Sequence, residues 1–105
     1  MIKIALPGAA GRMGGMLIKT IAVASDLALV AATDRPDSPY IGEDVGTVAA
    51  CEPTGVLLGD NPQTLFAEAD VVIDFSSPAA SLVHTDLAAK HGTALVIGTT
   101  GLTAD

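Results

Sequence analysis

The amino-acid sequence predicts a doubly wound α/β domain, a parallel sheet with helices on both faces, and three observations carry that prediction. Short apolar runs alternate with helix-length segments along the whole chain, the pattern of right-handed crossovers between parallel strands. Half of the residues are hydrophobic but only 3% are aromatic. The core must therefore be built from Ala, Val, Ile and Leu, as in strands buried on both faces. A length of 105 residues fits one domain, residues 1–105, that buries roughly 60–70% of its unfolded surface.

Each element follows from local pattern. Residues 1–6 form a short apolar strand that Pro7 and Gly8 end. A helix is predicted over 12–24, with Met13, Met16, Leu17, Ile21 and Ala24 as its buried stripe. Ser25 and Asp26 close it, and 27–33 is a second buried strand. From 34 to 55 the signal weakens, because Pro36, Pro39, Gly42, Gly46 and Pro53 break regular structure; a loop this long is often functional. A short third strand is expected at 56–58. A short helix is expected at 62–69, capped by Asn61 or Asp60. Residues 71–75 form a strong strand. Ser77 and Pro78 then open a helix running to about His91, with Gly92 as its C-terminal cap. A last buried strand spans 94–97. Thr103 reads as the N-cap of another helix, so the chain is expected to be a fragment of a longer polypeptide.

Composition excludes several functions. The net charge is −7 with five basic residues, whereas a general nucleic-acid binder needs a basic face. Two of the five, Arg12 and Arg35, lie where a small anion is expected below. Cys51 is the single cysteine, which excludes an intrachain disulfide and suits a reducing compartment. No apolar run approaches the ~18–20 residues of a membrane span, and the N-terminal run is too short for a signal-peptide core. The expected location is the cytoplasm.

The chemistry starts at Gly8, Gly11 and Gly14, spaced G-x-x-G-x-x-G between a strand and a helix. Glycine there permits a tight turn, close approach of a pyrophosphate to bare backbone, and close helix–strand packing. The helix dipole contributes only ~0.3–2 kcal/mol, and micromolar affinity needs about −8 kcal/mol, so contacts to the adenosine must supply most of it. Glycine alone also marks ordinary turns. Here the turn leads into a second strand ending at Asp34, about 20 residues past Gly14, where an acid meets ribose hydroxyls in Rossmann-type dinucleotide folds. Asp34 favours the free diol of NADH, while Arg35 can pair with the 2′-phosphate of NADPH. Use of either cofactor is the expectation.

Four segments add a resemblance: Gly8-Ala9-Ala10-Gly11-Arg12-Met13-Gly14, Gly42-Glu43-Asp44-Val45-Gly46, Val72-Ile73-Asp74-Phe75-Ser76-Ser77-Pro78 and Gly98-Thr99-Thr100-Gly101. Through them the chain resembles the N-terminal domain of the 4-hydroxy-tetrahydrodipicolinate (dihydrodipicolinate) reductases of lysine and diaminopimelate biosynthesis. The resemblance implies that Gly8, Ala9, Ala10, Gly11, Arg12 and Met13 bind the pyrophosphate. It places Arg12 and Arg35 near the adenosine phosphate and Asp34 at the ribose. Phe75 and Ser76 would wall the cofactor. Gly98, Thr99 and Thr100 would lie by the nicotinamide, with Thr99 and Thr100 also meeting a dicarboxylate substrate. It implies an NADH- or NADPH-dependent oxidoreductase, homotetrameric through a second domain. That domain carries the catalytic residues, so none is expected in this chain, and the isolated chain is expected to bind cofactor without turnover. The family's last segment also completes the nucleotide domain, so a sheet edge or helix face should stand uncovered. Two alternatives remain: another Rossmann oxidoreductase, or a non-catalytic module binding a nucleotide or coenzyme A.

Other candidates have plainer readings. His84 and His91 lie about 10 Å apart along one helix at 1.5 Å per residue, too far to share a metal, and with Cys51 they give no ligand set. They read as surface or helix-end histidines, and no metal is expected. Asp74 could act as a general base but reads as a brace for Ser76 and Ser77. Met13 and Met16 read as packing.

Overall fold

The computed structural model describes residues 2–74 and 78–97, the side chains at 12, 68 and 78–81 excepted. Its elements are β1 (Ile2–Pro7), α1 (Arg12–Val23), β2 (Leu27–Thr33), α2 (Val45–Val48), α3 (Gln63–Glu68), β3 (Val71–Asp74), α4 (Pro78–His91) and β4 (Ala94–Ile97). All four strands are parallel, in the order β2-β1-β3-β4. The chain builds outward from β1 on one side, then crosses to the other. That reversal opens a crevice at the carboxyl ends of the strands.

Side-chain alternation along β1 divides the core. Ile4 and Leu6 pack with Ile18 and Ile21 of α1 and with Val45 of α2. Ala5, one residue out of phase, packs with Leu65 and Phe66 of α3 and Ala88 of α4. Successive strand residues face opposite sides, so α1 and α2 cover one face and α3 and α4 the other, the doubly wound arrangement. The edge strand β4 leaves Val96 and Ile97 exposed, and Leu82 of α4 is 75% exposed. The expectation of an uncovered edge therefore holds among the described residues.

Several expectations meet the structure closely. Pro62 takes the cap position of α3 with no side-chain cap bond, and Asn61 Oδ1, one residue earlier, accepts from Gln63 N–H at 3.0 Å, so the expected cap is displaced by one residue. Gly92 adopts φ +68° after α4, a conformation that costs glycine little. The Ser77 cap, the strand position at Phe75 and the helix start at Thr103 lie outside the described residues.

Three expectations are corrected. Residues 56–58 do not form a strand. The segment joins β2 only by a parallel bridge, Thr33 to Gly59, and meets the preceding loop through Asp44 and Leu57. The buried stripe of α1 is Gly14, Ile18 and Ile21 with Leu17 partly buried, while Met13 is 45% and Met16 57% exposed. The helix is turned by about one residue because its bare Gly14 must face the backbone of Ala9. Finally, the 34–55 loop contains α2 and is ordered by one carboxylate. Asp44 accepts from the N–H groups of Gly46, Thr54 and Gly55 at 2.7–2.9 Å and from the Thr54 hydroxyl at 3.1 Å.

These donors, the Thr54 N–H foremost, hold the Asp44 carboxyl at about 2 instead of its ordinary 3.8. A depressed folded-state value gives stability that is present above the unfolded value and is lost as pH falls through the folded one. The Asp44 contribution is therefore expected to vanish between about pH 4 and pH 2. Asp44→Asn should be less stable than the parent at pH 7, and the gap should narrow across that window in urea melts. A gap independent of pH would refute the charge-based account.

Candidate functional site

The glycine turn is built from backbone bonds. Gly8 takes φ +73°, and its carbonyl accepts from Gly11 N–H at 3.1 Å. The turn is fastened to the end of β2: Ala9 N–H donates to the Thr33 carbonyl at 3.1 Å, and Ala10 N–H donates to Asp34 Oδ2 at 3.0 Å. The other Asp34 oxygen accepts from Arg35 N–H at 2.8 Å. The structure thus brings Gly8, Ala9, Ala10, Gly11, Asp34 and Arg35 together.

The bonds also sharpen which amides could meet a phosphate. Those of Ala9, Ala10 and Gly11 are occupied. No side chain caps α1, and no described group accepts from the N–H of Arg12, Met13 or Gly14. These first-turn donors, aided by the helix dipole, form an anion site of the kind that binds pyrophosphate. Met13, exposed at that turn, lies with the site and not with the core. The Arg12 side chain lies outside the described residues, as do Phe75, Ser76, Gly98, Thr99 and Thr100.

Beside the turn lies a cleft of about 240 Å³, smaller than the ~300–1,000 Å³ of whole-ligand pockets and suited to part of a dinucleotide. Pro7, Gly8, Thr33, Asp34 and Arg35 line one side of it, and Pro62, Val83 and His84 contribute from α4 and the start of α3. Arg35 Nε sits 3.2 Å from Asp37 Oδ1, with both side chains more than three-quarters exposed. Such a pair contributes little, so the guanidinium can leave it for a phosphate at small cost.

His84 is the residue that sequence reading misplaced. It is 5% exposed, not a surface group. Its Nδ1 lies 2.7 Å from Oδ2 of the fully buried Asp74. Asp74 therefore braces α4, and the Ser76 and Ser77 it is expected to brace lie outside the described residues. The signal was available: His84 precedes Leu87 and Ala88 by three and four residues, on the inward face of the helix. His91 ends α4 and is exposed, stacking on Phe66 at 6.0 Å. Among the described residues no group of three or more His, Cys, Asp or Glu could hold a metal. No described helix is long and apolar enough to cross a membrane.

Comparison with known proteins fits this geometry. The family model for "Dihydrodipicolinate reductase, N-terminus" matches residues 2–105. The chain is 49% identical over 104 residues to a 4-hydroxy-tetrahydrodipicolinate reductase of Burkholderia lata, covering 99% of this chain and 39% of that protein. It is 50% identical over 100 residues to the Burkholderia thailandensis enzyme of the same name, covering 95% and 37%. It thus spans about two-fifths of the length of these curated relatives. Among solved structures, a dipicolinate-bound dihydrodipicolinate reductase from Paenisporosarcina sp. TG-14 superposes with a TM-score of 0.73 at 28% identity, covering 96% of this chain and 38% of that one. An aspartate semialdehyde dehydrogenase with NADP from Candida albicans also reaches 0.73, over 94% of this chain and 30% of its own, at 18% identity. That last likeness speaks to fold alone.

Proposed function

Because the chain belongs to the dihydrodipicolinate reductase family, matching its N-terminal part over residues 2–105, we propose that it binds the NADH or NADPH of a 4-hydroxy-tetrahydrodipicolinate reductase. The observation that carries this reading is the set of amides at Arg12, Met13 and Gly14 that have no acceptor among the described residues, beside a turn fastened to Asp34. The amides receive the pyrophosphate. The Asp34 carboxylate, held by Ala10 and Arg35 N–H groups, keeps lone pairs for the ribose diol. The cleft takes the adenosine, which provides most of the binding energy. Thr99 and Thr100 orient the substrate's carboxylate as neutral donors. When bound, the reduced nicotinamide supplies a hydride to a cyclic imine-type dicarboxylate. The chain's own residues position the cofactor and hold its charge. The reaction belongs to lysine and diaminopimelate biosynthesis in the cytoplasm, and the whole protein assembles as a homotetramer.

Titration with NADH and NADPH, followed by nicotinamide fluorescence, tests the reading. Saturation below millimolar concentration is expected. A folded protein that shows no saturable signal with either at millimolar concentration overturns it.

Both cofactors are accepted because Asp34 and Arg35 recognise different ribose substituents. Arg35 is exposed, so its phosphate pair is worth about 1 kcal/mol, roughly fivefold in affinity. Arg35→Ala should weaken NADPH by about that factor and leave NADH within about twofold. Equal losses for both cofactors in parallel titrations would remove the 2′-phosphate assignment.

A further inference from the structure

His84 is 5% exposed and lines the cleft, yet only one of its two ring nitrogens is paired. Nδ1 faces Asp74 at 2.7 Å, and Nε2 has no hydrogen-bond partner among the described residues. A buried polar atom without a partner calls for an explanation. A carboxylate only accepts, so Nδ1 carries a hydrogen, and in the neutral ring Nε2 then presents a lone pair. Asp60, Pro62 and Val83 line the same cleft, and a planar acceptor on His84 adds to the acid there a directional contact. Asp34, already assigned to the ribose, lines the same cleft. What remains to fill the space is a flat base. Adenine attached to ribose has a single donor, its exocyclic amino group, because its other edge atoms accept.

We propose that His84 Nε2 accepts a hydrogen bond from the adenine amino group of the dinucleotide, and that Asp74 fixes the ring for this task by holding Nδ1. This rests on the nucleotide-binding reading above and adds to it a base-specificity residue. The site then selects adenine over hypoxanthine, whose carbonyl at that position would face the Nε2 lone pair. The hypoxanthine N1–H is one ring position away and meets the lone pair only if the base slides in the cleft.

The test compares dissociation constants of the purified protein for NADH and for reduced nicotinamide hypoxanthine dinucleotide. The measurements are made at pH 8. NADH is expected to bind roughly tenfold more tightly or better. His84→Asn keeps an N–H for Asp74 but has no acceptor at the Nε2 position, so the preference should fall to about twofold or less. His84→Gln places a carboxamide near that position and should keep most of it. Equal affinity of the unmodified protein for the two dinucleotides overturns the inference while leaving nucleotide binding intact. Failure of the folded protein to bind either overturns both. If His84→Asn loses affinity for both dinucleotides by one factor and keeps the ratio, the residue serves packing alone and the inference is wrong.

Discussion

Replacing Gly14 with alanine is expected to cost about 3 kcal/mol of stability and to weaken both dinucleotides roughly ten- to hundredfold. A Cβ at this position would lie 2.5 Å from the Ala9 carbonyl oxygen, 2.7 Å from its Cα and 2.8 Å from its carbonyl carbon. All three are backbone atoms, so no side chain can swing aside. Either α1 must lift from the sheet or the turn must move. The turn is held by Ala9 on Thr33 and by Ala10 on Asp34, and α1 is held by Ile18 and Ile21 in the core. Overpacking of this kind costs ~1–3 kcal/mol, and the absence of a soft neighbour places it at the upper end. The thermal midpoint should fall by about 10 °C or more. The amides of Met13 and Gly14 would move with the helix, losing the equivalent of one bond to a charged phosphate at ~1.5–3 kcal/mol. Gly11 provides the control. A Cβ there would meet the Gly8 carbonyl at 3.3 Å, which a shift of a few tenths of an ångström relieves. Gly11→Ala should therefore be the milder change in both melts and fluorescence titrations. The opposite ranking would show that Gly14 does not govern the approach of α1 to the turn.

The same glycine explains where the sequence was legible and where it was not. The strands at 27–33 and 94–97 were readable to the residue because each is an apolar run bounded by turn residues. The end of α4 was readable because Gly92 marks it in the sequence. The phase of α1 was not. Hydropathy assigns Met13 and Met16 to the core and gives Gly14 no weight. In the fold it is the missing side chain that decides which face turns inward. The third strand failed for a related reason. The pairing at 56–59 runs through backbone groups of Gly42, Glu43, Val45 and Gly59, which no side-chain pattern encodes. The 34–55 loop looked irregular because its order comes from one carboxylate, Asp44, and not from a periodic face. In the candidate site the turn and its acid were legible because both have fixed spacing. The buried pair was not, because Asp74 and His84 lie on different elements. Only the i, i+3, i+4 relation of His84 to Leu87 and Ala88 hints at burial.

His84→Leu is the second change with a large expected effect, and its cost follows from that pair. Asp74 is 0% and His84 5% exposed, so water cannot replace the lost donor. Breaking a buried pair by removing one partner costs ~3–5 kcal/mol, against a total of about 5–15 kcal/mol for a domain of this kind. Asp74 has a further interaction besides the histidine, which places the loss near the lower figure, about 3 kcal/mol. His84→Asn retains an N–H for the carboxylate and should lose only about 1 kcal/mol. Urea melts of the two variants separate packing from pairing. Leucine restores apolar volume beside Phe66, whose ring lies 6.4 Å from that of His84, so a packing role alone would leave His84→Leu the more stable. The effect should also be coupled to Asp74. In an Asp74→Asn background the buried charge is gone, and the further change His84→Leu should cost less than it does in the parent. Equal costs in the two backgrounds would mean that the 2.7 Å contact does not hold α4 to β3. The cleft wall carried by Val83 and His84 would then need another support.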